Sequence, residues 1–397
     1  MTNASSQIRV RLFGRTDVGQ IREHNEDNFL VADLTRRSRS LMESDREQAV
    51  GERGTVFGVC DGMGGAAAGE VASQLAVDII FEKLSQGDPP RNHDELARRL
   101  VSAVEEAGAR IFNEARADRT RRGMGTTATV AALVDTRLFV AQVGDSRAYI
   151  LRGGRLVQVS RDQSLVNQLI EAGQLTEEEA ETFEHNNIIL QALGTAETVQ
   201  VDLTYVDLQR GDRLLLCSDG LSGMVRADEL REVLTHAREP FDACRELTDR
   251  ANRAGGHDNI TVIVVDFDGA LPAQSGEELA YRKYPLPDAP AADATARALP
   301  VPSQMATPPP SEEAQRESRR LKVGHTMIGV SFQLPPEAHG HAAGALPGHR
   351  PPSNPPHGFD ADDSVQIPTN GFPPSVVGFM VLGAMFVVAL AGFLLLR

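Results

Sequence analysis

Short, dense apolar runs alternate with stretches of helical spacing along the first two thirds of the chain. Val56–Cys60, Leu214–Cys217 and Ile260–Phe267 are nearly continuous runs, which predicts strands buried on both faces. Ile8–Phe13 alternates apolar with polar, as a first strand should. Phe29–Val31, Ala128–Val134 and residues 137–143 predict further strands. Tyr149–Leu151 and Leu156–Val159, joined through Gly153-Gly154, read as a hairpin. Val71, Leu75, Ile79 and Ile80 recur at helical spacing and predict a helix to about Leu84. A second follows Pro89-Pro90, with Leu96, Leu100, Val104, Ile111 and Phe112 on one face and His93 exposed in its first turn. A short amphipathic helix is predicted over Asp162–Gly173, and two more over 227–234 and 240–254. Residues 33–54 are polar and read as a loop or hairpin excursion, while 162–195 lack long apolar runs and predict a mobile flap.

The runs stop at acidic residues. Asp61 follows Cys60, Asp145 closes the run ending at Val143, and Asp219 comes just after Cys217. Asp258 precedes Ile260, and Glu26-Asp27 precede Phe29. Each alone is most simply a turn or capping residue. Together they are acidic side chains aimed at one edge of a sheet, where they would repel one another unless cations filled the space. Hard oxygen ligands suit Mg²⁺ and Mn²⁺. Gly62, Gly64 and Gly65 let the backbone turn sharply and expose carbonyls beside Asp61. Arg22, just ahead of Glu26-Asp27, could grip a phosphate in a bidentate way, although alone it reads as an exposed ion pair. Two divalent ions sharing a carboxylate and a water would make that water acidic enough to attack phosphorus. No His-rich or thiol set points to zinc, and there is no P-loop or Cys nucleophile loop.

Composition narrows the class. A net charge of −15 argues against a general nucleic-acid binder. The three cysteines are scattered and read as small core residues of a reducing compartment. Nineteen of the 22 prolines lie after Asp268, which divides the chain into a tail at 1–7, a folded domain at 8–267 and a disordered Pro/Ala-rich linker at 268–374. Residues 375–397 hold an uncharged run of 21 residues, Val376–Leu396. As a helix it would extend roughly 31 Å, enough to cross a bilayer. That predicts a single C-terminal transmembrane anchor, with the folded domain cytoplasmic because Met1–Val10 has no signal-peptide core. An apolar island in the linker, Val323–Phe332, reads as a docking segment, as a phosphorylation site at Thr326, or as ordinary linker variation.

The motifs resemble those of the PP2C (PPM) family of metal-dependent Ser/Thr protein phosphatases, in its bacterial branch. Six match in the family's order: Arg22-x-x-Asn25-Glu26-Asp27, Asp61-Gly62-Met63-Gly64-Gly65, Gly125-Thr126-Thr127, Val143-Gly144-Asp145-Ser146-Arg147, Ser218-Asp219-Gly220-Leu221 and Asp258-Asn259-Ile260-Thr261. The resemblance implies an α+β fold, a four-layer α-β-β-α sandwich of two antiparallel sheets flanked by helices. It implies two core Mn²⁺ or Mg²⁺ ions and a third in bacterial members. By matching position, Asp61 bridges the core ions, Asp219 and Asp258 complete the first, and Gly62 offers its carbonyl to the second. Glu26 and Asp27 bind directly or through waters, Asp145 with Asp219 resembles the third site, and Arg22 holds the substrate phosphate. Many eukaryotic members have a histidine, proposed as general acid, where this chain has Met63, as bacterial members often do; the leaving group then takes its proton from water. The implied function is hydrolysis of phosphoserine and phosphothreonine in proteins at the membrane, opposing Ser/Thr kinases. The alternative is a catalytically idle, phosphoprotein-binding scaffold, whose signature would be a missing metal carboxylate.

Overall fold

The computed structural model describes residues 7–39, 47–64, 68–181, 183, 187–276 and 278–286. The chain runs through β1 (Ile8–Asp17), β2 (Asn28–Asp33), β3 (Ser38–Arg39), β4 (Glu47–Ala49), β5 (Thr55–Cys60) and β6 (Gly62–Met63) to two helices, α1 (Ala68–Ser85) and α2 (His93–Ala117). Then come β7 (Gly125–Thr126), β8 (Ala128–Val134), β9 (Arg137–Val143), β10 (Arg147–Arg152) and β11 (Arg155–Gln158). Short helices α3 (Leu165–Glu171) and α4 (Glu177–Glu181) precede β12 (Asp202–Asp207) and β13 (Arg213–Cys217). The rest is α5 (Asp219–Ser222), α6 (Ala227–His236), α7 (Pro240–Arg253), β14 (Ile260–Gly269) and β15 (Arg282–Lys283).

The continuous apolar runs are explained by what lies on either side of them. In β14, Val262 and Val264 pack with Cys244 and Leu247 of α7, while Ile263, Val265 and Phe267 face the other way, into the space between two sheets. In β5, Val56 and Cys60 pack against α1 and α2, and Phe57 and Val59 face the inter-sheet core. Both strands are central, in a six-stranded sheet ordered β11-β10-β13-β14-β1-β4 and a seven-stranded one ordered β15-β12-β9-β8-β5-β2-β3. Every pairing is antiparallel. The layers are α1 and α2, the seven-stranded sheet, the six-stranded sheet, then α6 and α7. Each large side chain buried here, such as Phe57 or Phe267, contributes about 1.5–3 kcal/mol relative to exposure. Helix starts follow local chemistry: the Asn92 side chain accepts from the Glu95 amide at 2.9 Å, and Pro240 opens α7.

The structure departs from the sequence pattern in four places. Residues 202–207 form β12, which the pattern does not announce because Asp202, Thr204 and Asp207 interrupt the apolar positions. Leu203 and Tyr205 face the helices, and Val206 faces the inter-sheet core. The 33–54 excursion is divided between the sheets: β3 closes a short hairpin with β2 in one, and β4 pairs with β1 in the other. His93 is half-buried against Phe139, its Nε2 3.7 Å from Asp135, rather than exposed. The folded part continues past 267, where the linker was expected to begin. Leu271 and Leu279 are buried, β15 pairs with β12, and Tyr284 stacks edge-on against Phe139 and Tyr205. The rest of the expected linker, the Val323–Phe332 island and the Val376–Leu396 anchor lie outside the described residues. Among the described residues no helix is long and apolar enough to cross a membrane.

Candidate metal centre

Antiparallel pairing decides which strand ends meet. Asn28 at the start of β2 lies opposite Cys60 at the end of β5, and Ala128 opposite Val143. In the other sheet Cys217, ending β13, lies opposite Val262 near the start of β14. Glu26-Asp27, Asp61, Asp145, Asp219 and Asp258 therefore gather at one edge of the sandwich. A bond across the sheets joins the two groups: the Thr261 hydroxyl donates to Asp27 Oδ2 at 2.7 Å.

The backbone around these carboxylates is held by side chains, leaving the acidic groups free. The Asp61 amide donates to Thr127 Oγ1 at 2.9 Å, and the Thr126 hydroxyl donates to the Asp61 carbonyl at 2.8 Å. Buried Gln142 donates to the carbonyls of Gly144 and Ser146, setting the Asp145 turn. Asn259 accepts from the Glu26 amide at 2.8 Å and donates to the carbonyls of Val18 and His24. Gly62 runs so close to the neighbouring main chain that a Cβ there would stand 2.3 Å from the Glu26 carbonyl oxygen. Only glycine fits, as the strand-end motif requires.

The electrostatics are those of a site short of positive charge. Burial first, and then the neighbouring carboxylates, push Asp61 well above the usual carboxylate range. The same causes raise Asp145 and Asp219. Asp27 is pushed up to about 7, by burial and by the charges of Asp219 and Asp258, against the lowering effect of its hydrogen bonds. Glu26 is raised by burial, with Asp258 and Glu70 adding to it and Arg22 opposing. Asp61 and Asp219 lie within hydrogen-bonding reach of each other. Both retain some contact with solvent at the mouth of the cleft, although protein surrounds them elsewhere.

Arg22 is the cation at this mouth, its Nη2 2.8 Å from Asp258 Oδ2. Behind Asp145, the Arg147 guanidinium donates to Asp162 at 2.7 Å, so most of its charge is already matched. Asp27 Oδ1, Asp145 Oδ1 and Asp219 Oδ1 are buried without a hydrogen-bond partner. Buried polar atoms are rarely left so, and three on one edge are best matched by cations from outside. Among the described residues no three acidic, His or Cys side chains close into a ready-made cage. The carboxylates surround shared space instead, and their all-oxygen chemistry fits a hard divalent ion. Burial raises the nearby Cys60 thiol to about 12.

All the carboxylates singled out from the sequence are thus brought to one edge, with Arg22 and Gly62 beside them. The sequence reading assigned no role to Thr126, Thr127, Asn259 or Thr261, although each sits inside a quoted motif. Glu70, in the first turn of α1, was not singled out; an acidic residue just after the glycine cluster was the signal for it. Met63 is buried with Ile189 and Ala192, so it anchors the returning end of the 162–195 segment. That segment is stitched to the metal edge by paired bonds between Thr126 and Leu193, at 3.1 and 2.9 Å.

Comparison with known proteins agrees with this picture. The family model for protein phosphatase 2C matches residues 35–258. The serine/threonine phosphatase stp of Listeria monocytogenes is 36% identical over 254 residues, covering 64% of this chain and 94% of that one. The serine/threonine phosphatase PstP/Ppp of Mycobacterium tuberculosis, a crystal structure, superposes with a TM-score of 0.56 at 35% identity, over 66% of this chain and 99% of that one. A catalytic domain of PstP in complex with two manganese ions superposes with a TM-score of 0.55 at 34% identity, over 66% and 99%.

Proposed function

The chain belongs to the protein phosphatase 2C family, and on that premise we propose how and where its serine/threonine phosphatase activity is exerted. Asp61, Asp219 and Asp258 would hold one divalent ion, and Asp61 with the Gly62 carbonyl a second. Glu26 and Asp27 would bind directly or through water, and Asp145 with Asp219 would take a third. The observation that carries this reading is the set of partnerless buried oxygens on Asp27, Asp145 and Asp219. Mn²⁺ or Mg²⁺ bound there supplies charge neutralisation and water acidic enough to attack phosphorus at neutral pH.

The chain's own residues do the rest. Arg22 stands at the cleft mouth with its guanidinium beside Asp258, and it would turn to two phosphate oxygens when a substrate enters. Thr126, Thr127 and Asn259 keep Asp61 and Glu26 in place, so no reorganisation is needed during the reaction. Met63 has no proton to give and is packed away under Ile189 and Ala192. The leaving serine or threonine oxygen therefore takes its proton from water. None of the metal carboxylates is missing from the sequence, which counts against an idle scaffold.

The substrates are phosphoproteins made by Ser/Thr kinases, which the enzyme would oppose. The uncharged run Val376–Leu396 supports tethering to the membrane, with the phosphatase domain on the cytoplasmic side. The test is phosphate release from a phosphothreonine peptide, with Mn²⁺ and with EDTA, by the full chain and by its Asp61→Ala and Asp219→Ala variants. Metal-dependent turnover lost in both variants is the expected result; turnover that survives EDTA overturns the reading. For the tether, the full chain should pellet with membranes and a chain lacking 375–397 should not. A full chain in the soluble fraction removes that part.

A further inference from the structure

Helix α2 starts at the far end of the sandwich, where His93 lies 3.7 Å from Asp135 in the β8–β9 turn. Its 25 residues span roughly 37 Å, so its C-terminus comes out on the metal side. The chain then passes Arg119 to Arg122 and enters β7, where Gly125 pairs with Met63 and the Thr126 hydroxyl bonds the Asp61 carbonyl. Arg122 is three residues from Gly125, at most about 11 Å away along the chain.

This short stretch holds four arginines, at 116, 119, 121 and 122, in a protein with net charge −15. Two are already engaged. Arg116 stacks over Phe112, and Arg121 pairs with Glu114 at 2.7 Å and Asp118 at 3.5 Å. Asp118 is further occupied by the Thr120 amide and hydroxyl. The side chains of Arg119 and Arg122 are exposed and have no ion pair or hydrogen bond among the described residues. Two guanidiniums without a partner among the described residues thus stand a few residues before the β6–β7 pair, which borders the acidic edge where Arg22 is already a cation.

We propose that Arg119 and Arg122 form a second anion subsite for the substrate peptide, recognising another phosphate three to five residues from the one being hydrolysed. A guanidinium suits a phosphate because its donors match two oxygens at once. An extended peptide covers about 10–18 Å in three to five residues, which matches the bound of about 11 Å of chain between Arg122 and Gly125 in the β6–β7 pair. An anionic lipid surface is the poorer fit, since polybasic membrane binding draws on about four to eight clustered basic residues. The proposal rests on the phosphatase reading of the metal edge.

The test uses the full chain with Mn²⁺ and three substrates. These are p-nitrophenyl phosphate, a phosphothreonine peptide, and the same peptide with a non-hydrolysable phosphonate four residues to either side. The wild type should favour the phosphonate peptide in kcat/KM by roughly fivefold, the size expected of two exposed charge pairs. Arg119→Ala/Arg122→Ala should abolish that preference through KM. Turnover of p-nitrophenyl phosphate should be unchanged, and Arg119→Lys/Arg122→Lys should keep part of the preference. A wild type without the preference overturns the subsite, as does a double variant that retains it. So does a double variant whose loss is confined to binding phosphatidylserine vesicles. If the wild type releases nothing from p-nitrophenyl phosphate with Mn²⁺, the reading of the metal edge has failed, and the subsite falls with it.

Discussion

Strands β13 and β14 have aspartates near both ends, and Asp145 stands at the start of neighbouring β10; the two ends treat their aspartates in opposite ways. At the far end Asp212 is fully buried and is gripped by Arg152 at 2.8 and 2.6 Å, with the Gln209 amide adding a third bond. Asp266 is held the same way by Arg213, at 2.5 and 3.0 Å. At the metal end Asp145 and Asp219 have oxygens with no partner, and neighbouring carboxylates add negative charge: Asp219 and Asp162 beside Asp145, and Asp258 beside Asp219. The sheet is the same; the source of counter-charge differs. Where an arginine from a neighbouring strand supplies it, the carboxylate belongs to the architecture. Where the protein withholds it, the carboxylate is kept for a ligand. The withheld charge costs the fold something, because like charges are held together in a low-dielectric edge.

The contrast predicts a double dissociation. Asp61→Asn should lower kcat/KM on a phosphothreonine peptide by roughly a thousandfold or more, the several kcal/mol a metal site supplies to the transition state. The melting temperature of the EDTA-treated protein should hold or rise, because one member of a mutually repelling set is gone. Asp212→Ala should do the reverse. It strands the Arg152 charge, whose side chain is only 9% exposed, and should cost about 3–5 kcal/mol of stability. Denaturant unfolding measures that cost, while kcat per folded molecule should stay near wild type. If the two substitutions produced the same pattern, the distinction between the two ends would collapse.

A smaller effect comes from the stretch after β14, which connects the far end to the sheet edge. Arg210 and Gly211 amides bond the carbonyls of Pro272 and Phe267, Leu279 is buried, and β15 adds to β12. Tyr284 then closes over Phe139 and Tyr205. Ending the chain after residue 276 should cost about 2 kcal/mol, from the lost burial of Leu279 and Tyr284 less the ordering entropy they no longer pay. A chemical denaturation midpoint lowered by that amount, with peptide turnover retained, is the expected result; an unchanged midpoint would mean the segment contributes nothing.

That segment also shows what the sequence pattern could convey. Runs such as 56–60 and 260–267 are legible because both faces are apolar, and the acidic strand ends are legible because Asp interrupts such a run abruptly. Each carboxylate's location at a strand end follows from the run beside it. Their meeting at one edge follows from register, which no local pattern contains: Asn28 faces Cys60 only after β2 and β5 pair. The 268–286 stretch escaped because its composition is that of a linker, with three apolar anchors, Leu271, Leu279 and Tyr284, too widely spaced to form a rhythm. β12 escaped because only Leu203 and Val206 of its six residues are buried, so it tolerates Asp202 and Asp207. The threonines and asparagine holding the metal edge were visible as motif letters. Their bonding to Asp61, Asp27 and Glu26 depends on residues more than sixty positions away in the chain.

The smallest effect is the most direct reading of the withheld charge. In the metal-free protein Asp27 has its carboxyl pushed up to about 7 from an ordinary value of 3.8, chiefly by burial. A raised folded value means the folded state holds the proton more tightly than the unfolded chain does. The stabilisation from that proton is complete below the ordinary value and disappears as pH rises through 7. Metal-free protein should therefore lose on the order of 1 kcal/mol between pH 6 and pH 8. Asp61, Asp145 and Asp219 are raised as well and act with the same sign. A divalent ion takes the proton's place, so the gap in melting temperature between Mn²⁺-loaded and EDTA-treated protein should widen over the same interval. In Asp27→Asn, which cannot ionise but can still accept from Thr261, the metal-free slope should flatten. A metal-free protein that becomes more stable from pH 6 to pH 8 would show that these carboxylates already have their counter-charge, and the two ends of the sandwich would then be alike.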